Sequence, residues 1–219
     1  MGQSGSRESA DLRHRLRRGS LKKFIWQFRV VLVGDSAVGK TSIVLRLTEG
    51  TFCEILQKTI GVDYYIYILE AMPTVRVKLQ VWDTAGEKEY RTITQSHLQT
   101  MLGGLLVFDL TRRRTLDYIR NWLNEASEAL ELSHRNFILV GNKSDLSAER
   151  QVPREEAELA AAEMGLRYAE TSAKEDENIQ DVFLILASSI AEVTEVKGGI
   201  LLVKEGMEGE RKREIERVE

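Results

Sequence analysis

Two hydrophobic rhythms alternate along the chain, and their order predicts its architecture. Residues 28–33 are almost uninterruptedly apolar, the pattern of a parallel strand covered on both faces. A helix of about ten residues then starts at Gly39, with Ile43, Val44 and Leu47 on one side. Residues 63–69 and 75–82 read as strands, with Pro73 in the turn between them. In the second, Val75, Val77, Leu79 and Val81 alternate with Arg76, Lys78 and Gln80. One face is therefore wet, which suits an antiparallel hairpin at a sheet edge. Residues 104–109 and 137–141 are two more buried strands, and between them Leu116, Ile119, Leu123, Ala126 and Leu130 keep helical spacing. Pro153 opens the next helix in its first turn, which runs to about Met164, and a strand follows at 166–170. The last helix carries Ile179, Val182, Phe183, Leu186 and Ile190 on one face. This alternation predicts a doubly wound α/β domain over residues 24–196, with a mostly parallel six-stranded sheet and one antiparallel edge strand.

The flanks differ in composition. Residues 1–23 hold seven basic side chains (Arg7, Arg13, Arg15, Arg17, Arg18, Lys22, Lys23) against Glu8 and Asp11, a net +5. They read as a flexible arm. Its opening, Met1-Gly2-Gln3-Ser4-Gly5-Ser6, matches the pattern for myristoylation of Gly2. One acyl chain holds a membrane only marginally, and basic side chains near an anionic leaflet supply the second attraction. A soluble tail is the plainer alternative. Residues 197–219 form a charged tail in which six basic and six acidic side chains balance, and frayed helix or disorder is expected there.

Composition narrows the partners. The net charge of −3 gives no reason to expect nucleic acid, and no apolar run approaches the ~20 residues that cross a bilayer. With Cys53 as the single cysteine no intramolecular disulfide can form, which fits a reducing cytosol.

The chemistry sits in the loops. Between the first strand and helix the chain reads Gly34-Asp35-Ser36-Ala37-Val38-Gly39-Lys40-Thr41, or G-x-x-x-x-G-K-T. Glycines let the backbone bend closely around a phosphate, and amides at the following helix N-terminus add partial positive charge. The run Ser36-Ala37-Val38-Gly39-Lys40-Thr41-Ser42 is thus expected on a nucleotide. Lys40 would reach the β- and γ-phosphates and the Thr41 hydroxyl would ligate Mg²⁺. The bland alternative is a glycine-containing strand-to-helix turn, and the flanking strand and helix patterns count against it.

Asp83-Thr84-Ala85-Gly86 follows a strand end. Asp83 there holds Mg²⁺ through water, and the Gly86 amide reaches a γ-phosphate. D-x-x-G also describes many ordinary turns, and its weight comes from following the phosphate loop in order. Asn142-Lys143-Ser144-Asp145 follows another strand. The Asp145 carboxylate can accept two hydrogen bonds, from N1–H and the 2-amino group of guanine, which adenine lacks there. Lys143 has a stem long enough to lie over the base plane. In Glu170-Thr171-Ser172-Ala173-Lys174, a small Ala173 lets its backbone amide approach a carbonyl such as guanine O6, with Ser172 and Lys174 in the same base loop. Residues 50–61 lack periodicity and read as a mobile loop. Within it Thr59 offers a second hydroxyl to Mg²⁺ when the γ-phosphate is bound, an order–disorder switch. Phe52 would stack on the base edge, and Cys53, with no basic neighbour in sequence, reads as inert.

Together these motifs resemble the Ras superfamily of small GTPases over residues 28–190, and its Rab branch in particular. The branch resemblance is carried by Ile60-Gly61-Val62-Asp63-Tyr64, Lys78-Leu79-Gln80-Val81-Trp82-Asp83, Tyr90-Arg91-Thr92-Ile93-Thr94 and Leu106-Val107-Phe108-Asp109-Leu110-Thr111. It implies the P-loop GTPase fold and a monomer that cycles between GDP and GTP on the cytosolic face of intracellular membranes. It also implies an exchange factor, a GTPase-activating protein and effectors that read residues 50–64, 87–100 and Trp82.

Three departures from the family pattern stand out. Glu87 follows Asp83-Thr84-Ala85-Gly86, where the family has a glutamine that orients the attacking water. A carboxylate accepts a hydrogen bond from water but cannot donate to a γ-phosphate oxygen, and it brings negative charge toward a negative transition state. Slowed hydrolysis is expected, with Glu87, Lys40, Thr59 and Gly86 as the catalytic set. No cysteine beyond Cys53 is present for prenylation, so either the C-terminus is truncated or attachment differs, with the Gly2 motif as the candidate substitute. Gln95-Ser96-His97-Leu98-Gln99-Thr100 lacks the paired aromatics common in the branch, which bears on effector choice. Two other readings stand beside the switch: a GTP-binding scaffold with negligible hydrolysis, and a P-loop kinase or ATPase, against which Asn142 to Asp145 argue.

Overall fold

Every residue of Gly103–Asp109 is buried, as the middle strand of a sheet covered on both faces requires. Around it the computed structural model describes residues 24–72, 75–86, 100–130, 136–196 and 202–203. The strands are β1 (Phe24–Val33), β2 (Val62–Met72), β3 (Val75–Thr84), β4 (Gly103–Asp109), β5 (Asn136–Asn142), β6 (Arg167–Thr171) and β7 (Leu202–Val203). The helices are α1 (Lys40–Glu49), α2 (Arg114–Leu130), α3 (Arg154–Glu163) and α4 (Ile179–Val196), with a 3-10 turn at Ser147–Glu149. The main path of the sheet runs β2-β3-β1-β4-β5-β6. All neighbours on it are parallel except β2 with β3, the antiparallel hairpin expected at an edge.

Strand alternation sorts the core into two layers. Phe28, Val30 and Leu32 of β1 face one way and pack with Ile43 and Val44 of α1 and Phe183 and Leu186 of α4. Val31 and Val33 face the other way, with Leu116 and Ile119 of α2 and Ala157 and Ala160 of α3. On the hairpin, β2 presents Tyr64, Ile66 and Ile68 outward. They stand opposite Trp82, Gln80 and Lys78 of β3, and the Tyr64 and Trp82 rings meet edge to face at 5.4 Å.

Three differences from the expected elements have physical causes. β1 starts at Phe24 rather than at residue 28, because Phe24 to Gln27 continue the backbone ladder to Val75 through Lys78 across the polar Gln27. Pro153 is the N-cap of α3, with ψ 152°, and not its first helical residue. β7 lies in the tail expected to be frayed helix or disorder, where Leu202 and Val203 pair antiparallel with Trp26 and Ile25. It sits off the main path, beside the start of β1.

Because β1, β3, β4, β5 and β6 run the same way, the loops that leave their C-terminal ends gather on one edge. That edge is where an open α/β sheet binds its ligand.

Candidate functional site

The loop from Gly34 to Gly39 bends sharply before α1. Gly39 has φ 96°, and a Cβ there would lie 2.3 Å from Asn142 Nδ2. Gly86 meets the same loop from below: a Cβ on it would sit 2.4 Å from the Ser36 amide nitrogen. Only glycine allows either approach. Lys40 is 6 % exposed, and its ammonium donates to the carbonyls of Gly34 (3.0 Å) and Asp35 (3.1 Å). Burial, opposed by Asp83 and Asp35, pushes its pKa down to about 8. A side chain held this way is a buried cation awaiting stronger anions than carbonyls.

Beside it three oxygens converge. The Thr41 hydroxyl donates to Asp83 Oδ2 at 2.5 Å and lies 2.9 Å from the Thr59 hydroxyl. Asp83 is fully buried, and its Oδ1 has no hydrogen-bond partner in the described structure. Burial first, against help from Thr41 and Lys40, raises its carboxyl above the ordinary range. An orphaned buried carboxylate oxygen beside two hydroxyls fits a hard cation with oxygen ligands. Among the described residues no cluster of three or more His, Cys, Asp or Glu side chains could hold a metal alone.

The base end is knitted from the loops after β5 and β6. Asp145 Oδ1 accepts from the Ser172 hydroxyl at 2.6 Å, which orients the carboxylate. Ser172 and Glu177 exchange backbone hydrogen bonds, and Glu177 also accepts from the Ser144 hydroxyl. Lys143, at φ 69°, sends its ammonium to Asp109 Oδ2 (2.7 Å) and the Ala37 carbonyl (3.1 Å), so its stem spans from the base loop to the phosphate loop. Asp109 enters the sequence reading only within the branch resemblance, with no role of its own, and Arg112 does not enter it. Asp109 is buried, and Arg112 bridges its carboxylate to the carbonyls of Ser36 and Ala37. The only signal for them is that Asp109 ends a buried strand and Arg112 lies three residues on, in the loop that follows.

A cavity of about 480 Å³ joins the two ends. Ser36, Ala37, Gly39, Lys40, Thr41 and Ser42 line one wall; Asn142, Lys143, Asp145, Ala173 and Lys174 line the base end. Phe52, Thr59 and Gly86 close it, together with the exposed Cys53. Three expected residues are absent from the lining: Val38, Ser172 and Asp83, the last buried behind Thr41. Val38 is buried in the core and offers its carbonyl to Asn142, while Ser172 stands behind Asp145. Glu87, Gly2 and the segment 95–99 lie outside the described residues.

Residues 29–192 match the Ras family. The chain is 43% identical over 190 residues to the Ras-related protein Rab-39A of Homo sapiens, covering 85% of this chain and 87% of that one. It is 39% identical to the Ras-related protein rab-39 of Caenorhabditis elegans, covering 85% of this chain and 82% of that one. It is also 39% identical to the Ras-related protein Rab-8A of Rattus norvegicus, covering 77% and 81% respectively. The loops at residues 34–41, 83–86, 142–145 and 170–174 all fall within the matched stretch: the chain belongs to the Ras family, as a small GTPase of the Rab type.

Proposed function

We propose that the chain is a guanine-nucleotide switch that holds GDP or GTP with Mg²⁺, hydrolyses GTP slowly, and acts in vesicle traffic on the cytosolic face of intracellular membranes. The observation that carries the reading is the orphaned Oδ1 of Asp83 beside Thr41 and Thr59, next to the buried ammonium of Lys40.

Each residue has a task in this reading. Backbone amides of Ser36 to Thr41 and the Lys40 ammonium hold the β- and γ-phosphates. Thr41, Thr59 and Asp83 hold Mg²⁺, which, when bound, neutralises charge on the phosphate oxygens. Asp145, steadied by Ser172, identifies guanine at N1–H and the 2-amino group. Thr59 belongs to the loop that begins at Gly50, so loss of the γ-phosphate releases the contact that holds that loop. Water adds to the γ-phosphorus, the bond to the β-phosphate oxygen breaks, and GDP and phosphate leave. Glu87 accepts a hydrogen bond from that water but gives none to the γ-phosphate, which slows the step.

Exchange factor, activating protein and effectors would engage residues 50–64 and 87–100 with Trp82. A membrane-bound arm is supported by the Gly2 pattern and the +5 charge of residues 1–23. The pairing of β7 with the start of β1 adds support, because Phe24 and Val203 leave from the end of the sheet opposite the cavity. Among the described residues no helix is long and apolar enough to cross a membrane. Gly2→Ala should release the protein from membranes, and persistence on them would remove the anchor.

Nucleotide extracted from purified protein should be GDP or GTP, and single-turnover hydrolysis should quicken in Glu87→Gln. Recovery of no guanosine nucleotide, with no binding by calorimetry in magnesium, overturns the switch. If parent and Glu87→Gln share one rate, with and without an activating protein, the role of Glu87 falls. Hydrolysis absent in the parent and restored in Glu87→Gln favours the scaffold reading.

A further inference from the structure

The last turn of α1 carries a cation that no nucleotide motif contains. Arg46 donates from Nε to the Ala173 carbonyl (2.8 Å), from Nη2 to the Lys174 carbonyl (2.9 Å) and from Nη1 to the Gly50 carbonyl (2.7 Å). All three acceptors are backbone. Two are successive carbonyls of the loop after β6, gripped by one edge of a planar fork. Such a fork fixes orientation as well as distance, because its N–H directions cannot be varied one at a time.

The gripped loop is the wall of the base end. Ala173 is 3 % exposed, and both it and Lys174 line the cavity. Carbonyls held against α1 leave little freedom to the peptide units beside them, and the Ala173 amide belongs to one of these. Gly50, the third acceptor, is the C-cap of α1 at φ 68° and donates its own amide to the Arg46 carbonyl. Helix end and base loop are therefore joined through a single side chain, 127 residues from its Ala173 partner.

We propose that Arg46 is a positioning residue for purine recognition, which sets the Ala173 amide at the place where the 6-oxo group of the base is read. The inference rests on the guanine reading proposed above. Arg46 touches no part of the nucleotide in this scheme; it acts through the carbonyls it holds. A cation that served only the C-terminal turn of a helix would loosen every nucleotide alike, and this difference makes the role testable.

Dissociation constants of the full chain are compared for GDP, IDP, which lacks the 2-amino group, and 2-aminopurine riboside diphosphate, which lacks the 6-oxo group and with it the N1 proton that Asp145 reads, a loss common to parent and variants. The parent, Arg46→Lys and Arg46→Ala are measured. Lysine keeps the charge but cannot span three carbonyls, and it covers the case in which the alanine variant folds poorly. In Arg46→Lys the preference for GDP over the 2-aminopurine analogue should shrink about tenfold, the effect of one buried hydrogen bond. The preference for GDP over IDP should stay within about twofold, since Asp145 is untouched. Equal weakening toward all three nucleotides, no change in either preference, or a loss confined to the 2-amino group overturns the inference. A parent that already fails to discriminate against either analogue overturns the guanine reading itself, and this is visible before any substitution is made.

Discussion

Asn142 donates its side-chain amide to the carbonyl of Val38 at 2.9 Å, joining two loops that lie 104 residues apart in the chain. The same Asn142 accepts from the Thr171 hydroxyl at 3.2 Å, so phosphate loop, β5 and β6 share one buried side chain. Gly39 is the residue that makes room for it. In Gly39→Ala the new Cβ would collide with Asn142 Nδ2 at a φ of 96° that alanine adopts only with strain. Strain of ~1–3 kcal/mol and a lost buried hydrogen bond of ~1 kcal/mol should together cost about 2–4 kcal/mol of stability. Urea unfolding of the nucleotide-free protein measures it. A variant within about 0.5 kcal/mol of the parent would show that the loop yields freely.

Asp83 should set the magnesium dependence of nucleotide release. Its Oδ1 has no partner and its Oδ2 is held by Thr41, so Asp83→Asn keeps the shape and removes the charge. In the parent, chelation of magnesium by EDTA should speed GDP release. In Asp83→Asn release should already be fast and metal affinity should fall about 10–100-fold, leaving EDTA little to add. Stopped-flow release of a fluorescent GDP with and without EDTA decides it. An undiminished EDTA effect in the variant places the cation elsewhere. Burial raises the Asp83 carboxyl, so the neutral side chain should not weaken the nucleotide-free fold.

The strands were legible because burial on both faces leaves no choice but apolar runs, as in Leu105 to Phe108. Their ends were less so. Phe24, Ile25 and Trp26 are apolar as well, but Gln27 and Arg29 interrupt the run, so the backbone ladder to Val75 through Lys78 makes β1 longer than the pattern from Phe28 suggests. β7 is hidden in the sequence: Ile200-Leu201-Leu202-Val203 is apolar, but the short run sits among charges that read as a tail. Residues whose chemistry is local, such as Lys40 and Thr41, could be named from spacing alone. Arg46, Arg112 and Asp109 could not, since each finds its role through partners that only the fold brings near. Ser172 sits in the base loop its spacing suggests, but its hydroxyl donates to Asp145 rather than lining the cavity.

Asp109 should govern how firmly Lys143 is held. Its Oδ2 receives Lys143 at 2.7 Å and Arg112 at 2.9 Å, and its Oδ1 receives the Thr111 amide and hydroxyl. Burial alone would push this carboxyl up, but hydrogen bonds from Lys143 and Thr111 outweigh it and hold the group below the usual carboxylate range. Asp109→Asn leaves two cations without their anion. Both are partly exposed, so the cost should be about 1–3 kcal/mol rather than that of a fully buried pair. Release of GDP should quicken several-fold as Lys143 loses its anchor. Unchanged release at lowered stability would separate Lys143 from nucleotide retention.

Arg150 and Glu170 should give the fold a measurable acid sensitivity. Arg150 grips both carboxylate oxygens, at 3.0 and 2.7 Å, and the Tyr168 hydroxyl donates to the same group at 2.9 Å. Burial opposes ionisation of Glu170, yet the hydrogen bonds from Arg150 and Tyr168 prevail and lower its pKa from the ordinary 4.5. A carboxylate whose folded pKa is depressed contributes stability that is fully present above its unfolded pKa. That contribution fades as pH falls through 4.5 toward the folded value. Arg150→Met should therefore cost about 1–3 kcal/mol near neutral pH, tempered by the partial exposure of the guanidinium. The gap between parent and variant should narrow as pH falls below 4.5, where Glu170 is increasingly protonated in both. Urea denaturation of the two proteins across that range tests it, and a gap that stays constant into acid would mean that Arg150 stabilises by packing rather than by charge.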